Sequence, residues 1–212
     1  MNKFIFSYPT KVYFGEGASS EALKMELPKV GKKVMLAYGG GSVKKSGIYD
    51  ELKDMLVAEG KEVLDFSGIM PNPTYAKVQE GAKLAKEEKV DFILAVGEGS
   101  VIDCCKVISA QALLDEDIWS MEYEQGKFPS SGIPMGAVVT ASGTGAEMNS
   151  GAVITYEDKL WKGAILGTSA VFAVLDPTYT ATVPSMQVLS GAFGYRLSKW
   201  RRYVKRISQY RT

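Results

Sequence analysis

The stretch Phe92-Ile93-Leu94-Ala95-Val96-Gly97-Glu98-Gly99-Ser100-Val101-Ile102-Asp103-Cys104-Cys105-Lys106 passes from an apolar run, through a glycine turn, into a helical pattern. Its first five residues read as a strand buried on both faces, of the kind found in parallel sheets. Gly97 and Gly99 let the backbone turn sharply, and Ser100 is the expected cap of the helix that follows. A helix begun in this way aims free N–H groups and about half a positive charge at an anion, which makes a nucleotide pyrophosphate the natural occupant. Taken alone, the same residues are equally a strand-to-helix turn with no ligand.

Outward from this stretch the same texture repeats. Residues 33–38 form an apolar strand, 39–42 a Gly-Gly-Gly-Ser turn, and 44–59 are expected as one amphipathic helix with Ile48, Leu52, Met55 and Leu56 on one face. A strand at 62–66 follows, and Pro71-Asn72-Pro73-Thr74 closes a loop and caps a helix to about residue 88. Beyond a helix expected over 100–114, an apolar strand at 134–140 runs into the small-residue turn 141–145. Short strands follow at 151–156, 161–166 and 171–175. Upstream, 9–17 reads as a short strand ending in a glycine turn and 19–27 as a helix, while Pro184 opens a last helix. Strand and helix alternate, so the fold class is α/β: a Rossmann-like parallel sheet with helices on both faces and a small β excursion.

Bulk properties narrow the function classes. With 212 residues, 46% of them hydrophobic, the chain can bury a substantial core. No window approaches 18 apolar residues and residues 1–9 carry no long apolar segment, so a cytoplasmic location without a membrane partner is expected. Cys104 and Cys105 are neighbours on one helix and are read as reduced, packed thiols. The net charge of +1 conceals a break, because residues 194–212 hold seven basic residues and no acidic one, leaving the first 193 residues at −6. That tail mixes basic with aromatic residues, but such runs are usually only solvated, and no nucleic-acid partner is expected. The chain contains no histidine.

Three glycine-hydroxyl turns, at 39–42, 97–100 and 141–145, close three candidate parallel strands on the edge where open α/β sheets bind ligands. None has the full Gly-x-Gly-x-x-Gly spacing with an acid about 20 residues on, and none is a Walker loop. The first turn lacks the carboxylate that reads a ribose 2′-hydroxyl and is followed by Lys44 and Lys45, which favours NADP(H) over NAD(H). The alternative is a small-residue turn with two solvated lysines.

With these turns in view, the sequence resembles the iron-containing, group III alcohol dehydrogenases, and within them the NAD(P)H-dependent butanol dehydrogenase and aldehyde reductase branch. The marks are the stretch 9–17, Tyr38-Gly39-Gly40-Gly41-Ser42-Val43-Lys44-Lys45-Ser46-Gly47, Pro71-Asn72-Pro73, the 95–106 stretch, 140–149, and 172–184. The resemblance implies a nucleotide-binding domain over 1–193, with Gly39, Gly40 and Ser42 at the adenosine ribose and its 2′-phosphate. Gly97, Gly99 and Ser100 would hold the pyrophosphate, and Asp103 would face the nicotinamide side. Thr140 and Thr144 would flank adenine and phosphate, Asn149 would lie on the same lobe, and Lys162 would reach the nicotinamide ribose. Glu98 departs from the family's Gly-Gly-Gly-Ser and would repel a pyrophosphate unless it turned outward.

The resemblance also implies hydride transfer between the nicotinamide of NADP(H) and a primary alcohol or aldehyde, on a metal held by an aspartate and histidines of a following helical domain. The first two metal positions are Gly194 and Ser198 here, and no histidine exists to replace the others. No catalytic residue, and no iron or zinc, is therefore expected for this chain, which reads as an alcohol dehydrogenase inactive as it stands; the alternative is a non-catalytic dinucleotide-binding remnant. A tail over 194–212 unrelated to the family, produced for instance by a shifted reading frame, accounts for the break in composition at the same point. Self-association through the face around Met186, Val188, Leu189 and Phe193 is expected, since the family covers that face with its helical domain.

Overall fold

A computed structural model describes residues 8–181 and 183–193; the basic tail expected over 194–212 lies outside the described residues. Among the described residues there are eight strands: β1 (Lys11–Phe14), β2 (Lys33–Tyr38), β3 (Glu62–Phe66), β4 (Phe92–Gly97), β5 (Met135–Val139), β6 (Gly151–Tyr156), β7 (Trp161–Leu166) and β8 (Phe172–Leu175). Six of them make one sheet in the order β1-β8-β5-β4-β2-β3, every pair parallel. The α/β expectation holds, and the small β excursion is an antiparallel β6–β7 hairpin that forms a separate two-stranded sheet.

Both faces of the sheet are covered, and the sidedness follows the period of two. Phe92, Leu94 and Val96 of β4 join one core with Leu23, Ile48, Leu52 and Leu56. Ile93 and Ala95 join the other, with Val78, Ala82, Ile102 and Ile108. On the first face lie α1 (Ala18–Glu26), α2 (Ser42–Lys45) and α3 (Ile48–Ala58); on the second lie α4 (Tyr75–Glu87), α5 (Gly99–Gln111) and the β6–β7 hairpin. α4 and α5 cross closely at Gly81, where a Cβ would stand 2.4 Å from Ile108 Cδ1. A short helix α6 (Ile118–Tyr123) is capped by Asp117, whose carboxylate accepts from Ser120 N.

Two local expectations are corrected. The single helix over 44–59 is two: α2 stops after one turn, and Gly47, at φ +80°, sets a new direction before α3 begins. Ser100 is not the cap of α5; Glu98 occupies that position in extended conformation without a side-chain capping bond, and Ser100 lies inside the first turn. The cap expected at Thr74 is present, its hydroxyl accepting from Lys77 N at 3.2 Å.

A first unit ends at Tyr179 and a second begins at Thr180. In the second, residues 185–193 are helical, in accord with the reading of Pro184, and Met186, Val188, Leu189 and Phe193 are exposed. Among the described residues no helix is long and apolar enough to cross a membrane.

Candidate functional site

The direction of strand succession reverses between β2 and β4: β3 lies on one side of β2, while β4, β5 and β8 follow on the other. Such a switch point opens a crevice beyond the carboxyl ends of the strands. The three glycine turns leave β2, β4 and β5, which are adjacent strands held in register, with Tyr38 beside Val96 and Gly97 beside Val139. Thr140 N donates to Gly97 O at 3.1 Å, binding the second turn to the start of the third.

A cleft of about 520 Å³ lies over the start of α5. Gly99, Ser100, Asp103, Thr144 and Asn149 line it, together with Glu98, Asn72 and residues of the turn 141–143. Gly39, Gly40, Ser42, Gly97, Thr140 and Lys162 are not part of that lining, so the sequence-predicted set divides. Gly39 belongs to the β2 end, where a Cβ would meet Ile69 O at 3.0 Å, and its carbonyl accepts from Gly68 N at 2.9 Å. Lys162 reaches the rim of the cleft indirectly, donating to Asn72 Oδ1 at 2.7 Å.

The floor is the first turn of α5. Glu98 O already accepts from Val101 N and Ile102 N, while helix geometry gives the N–H groups of Gly99 and Ser100 no intrahelical acceptor. With the macrodipole behind them they form an anion seat. Gly99 is tightly faced: a Cβ there would stand 3.3 Å from Thr144 Oγ1 and 3.6 Å from Ala146 Cβ. Glu98 brings an exposed carboxylate of the wrong sign for an anion into the same lining, where the other carboxylate, Asp103, is paired with Lys106.

The far wall is the hairpin. Asp103 Oδ2 accepts from Val153 N at 3.0 Å, and Asn149 Nδ2 donates to Gly145 O at 2.9 Å. Thr155 N donates to Pro73 O at 2.9 Å, which fastens the hairpin to the loop before α4. Beneath these groups lies Lys106, whose fully enclosed side chain donates to Asp103, Asn149 and Gly151. Burial lowers the basicity of its ammonium, against the raising effect of Asp103. Sequence reasoning missed Lys106 and Asn72; the i, i+3 spacing of Asp103 and Lys106 was the available signal, but it reads as an ordinary surface pair. Cys104 and Cys105 are free and buried, and burial pushes the Cys104 thiol up to about 12 and the Cys105 thiol well above its ordinary value.

A metal does not fit the described residues. No three His, Cys, Asp or Glu converge among them in a way that could hold an ion, and the sequence supplies no imidazole.

The sequence model of the iron-containing alcohol dehydrogenases matches residues 9–177. The chain is 45% identical over 195 residues to the NADPH-dependent aldehyde reductase YqhD of Escherichia coli K12, covering 90% of this chain and 49% of that protein. It is 41% identical over 212 residues to the "Probable NADH-dependent butanol dehydrogenase 1" of Bacillus subtilis 168, covering 98% of this chain and 54% of that protein. Among solved structures, the NADH-dependent butanol dehydrogenase A of Thermotoga maritima superposes with a TM-score of 0.82 at 39% identity, covering 91% of this chain and 48% of that one. The chain thus spans about half the length of the relatives it matches.

Proposed function

The chain belongs to the iron-containing alcohol dehydrogenase family, and from that premise we propose that it forms the nucleotide-holding half of an alcohol dehydrogenase of the butanol dehydrogenase and aldehyde reductase kind. The reaction of such an enzyme is hydride transfer between a nicotinamide and a primary alcohol or aldehyde. The observation that carries this reading is the convergence of three glycine turns on one switch point, with the first turn of a 13-residue helix opening into the cleft.

The described residues suit a dinucleotide. Gly97, Gly99 and Ser100 would take the pyrophosphate, with Thr144 supplying a hydroxyl from the facing turn; the space beside Gly99 is one that any side chain would fill. Asp103 and Asn149 would orient the nicotinamide half from the wall. Thr140 would lie toward adenine, and Lys162, poised on Asn72, toward the nicotinamide ribose. Gly39, Gly40 and Ser42 would receive the adenosine ribose. Because no carboxylate stands in that turn and Lys44 and Lys45 follow it, NADP(H) is preferred to NAD(H). The names of the relatives divide on this point, one being NADPH-dependent and two NADH-dependent.

A metal, where a member of the family holds one, supplies Lewis-acid polarisation of the carbonyl oxygen. The described residues do not fit one and the sequence has no histidine, so the 212 residues by themselves are expected to hold the nucleotide without turning over an aldehyde. Without polarisation, several kcal/mol of transition-state stabilisation are lost, on the order of a thousandfold or more in rate. The exposed apolar residues of helix 185–193 make self-association the expected state in solution.

Calorimetric titration of this chain with NADPH and then NADH tests the assignment, with Zn²⁺ or Fe²⁺ added as a control. Binding of both, NADPH the tighter, is expected. Binding of neither overturns the dinucleotide reading, tighter NADH overturns the preference, and metal-stimulated aldehyde reduction overturns the expected lack of turnover.

A further inference from the structure

Lys106 lies one helical turn beyond Asp103 on α5, and none of its side chain reaches solvent. Its three N–H donors have three acceptors: Asp103 Oδ1 at 3.2 Å, Asn149 Oδ1 at 3.0 Å and Gly151 O at 2.9 Å. All three acceptor residues line the cleft, although Lys106 itself does not. The other polar atoms of the two side chains are engaged as well, Asp103 Oδ2 by Val153 N and Asn149 Nδ2 by Gly145 O. One enclosed cation therefore ties α5 to β6 and to the turn that precedes it.

Stability is a poor reason to keep such a group. Desolvating an ammonium is costly, and an apolar side chain of similar volume often serves a fold as well or better. What an ammonium with three fixed acceptors supplies is orientation, because each acceptor can satisfy it in only one place.

We propose that Lys106 is the positioning residue of the cleft, fixing the Asp103 carboxylate and the Asn149 carboxamide at set places on the wall against which a dinucleotide lies. It binds no ligand; it acts through those two side chains. The inference rests on the dinucleotide reading above for its effect on binding, but its effect on the wall stands independently of any ligand.

The test compares Lys106→Met, Asn149→Ala and the double variant in the 212-residue chain. NADPH titration and the emission of bound NADPH report the site; amide hydrogen exchange without nucleotide reports the wall. Lys106→Met is expected to weaken NADPH about tenfold or more and to shift its emission toward that of the free nucleotide. The double variant is expected to lose no more than the worse single one, the mark of residues that act as a unit. Without nucleotide, the Val153 amide should exchange faster in Lys106→Met while the β4 amides keep their protection. Unchanged NADPH affinity, or losses that add, overturns the proposal. If the unaltered chain binds neither nucleotide, the dinucleotide reading fails, and the Val153 amide alone decides positioning: unchanged exchange overturns it. If Lys106→Met does not fold, Asn149→Ala carries the same comparison, and unchanged Val153 exchange there overturns it.

Discussion

The turns at 39–42 and 97–100 have nearly the same composition and leave neighbouring parallel strands in register, yet they end in different places. After β2 the backbone makes a four-residue helix and breaks at Gly47; after β4 it makes thirteen helical residues. The first turn is open, with nothing within 4 Å of a Cβ at Gly40 or Gly41, whereas Gly99 faces Thr144 and Ala146 across the cleft. A one-turn helix gathers little dipole, while a three-turn helix presents a full one to whatever faces it. Glycine composition thus marks a turn, but the length of the following helix and the opposing wall mark a seat for an anion. The two turns are suited to different parts of one ligand: an open edge that can discriminate a ribose substituent, and a closed seat that can hold charge.

Gly99→Val separates the two most sharply. The branched side chain enters the space in front of Thr144, so the chain should still fold but lose NADPH affinity by roughly a hundredfold, as calorimetry would show. Retained affinity would mean the seat is elsewhere. Gly40→Asp, in open space, tests the other turn: a carboxylate there should reverse the nucleotide preference toward NADH by about tenfold, measured as the ratio of the two dissociation constants. An equal effect on both nucleotides would remove that turn from the ribose. A pair of variants then checks how α4 and α5 begin. Thr74→Ala should cost about 1 kcal/mol in urea unfolding, whereas Ser100→Ala should stay within about 0.5 kcal/mol because Ser100 caps nothing. Last, Glu98→Gly should tighten NADPH by roughly 1 kcal/mol or less, an effect that shrinks as salt is raised. No tightening at low salt would show that this carboxylate does not meet the ligand's charge.

Much of the platform was legible because it rests on period and punctuation. The apolar runs at 33–38, 92–96 and 134–140, with glycine turns behind them, specify adjacent buried parallel strands, and the structure places their ends together. Helix 44–59 misled because its apolar face, Ile48 to Leu56, lies wholly beyond Gly47, and periodicity there does not register a single residue at positive φ upstream of it. Ser100 misled because a hydroxyl near a helix start is a cap only if the helix begins one residue later; here extended Glu98 takes that place. Lys106 was illegible for a deeper reason. A lysine three residues after an aspartate is usually a solvated pair, and only the hairpin folding over α5, through contacts more than 40 residues distant, encloses it. Only five of the eleven predicted site residues line the cleft, for similar reasons: α5 and the turn facing it converge, while the β2 turn and Lys162 remain at the margin.

Cys104 and Cys105 give this arrangement a practical use. Both thiols sit inside α5, enclosed and held well above neutrality, so the folded chain should scarcely react with an alkylating reagent. Alkylation then waits for α5 to lift from the sheet, and its rate becomes a clock for that opening. Because the same helix carries the anion seat at its first turn, NADPH should slow the clock, which would let a mass spectrometer time the occupancy of the cleft from two atoms that never touch it.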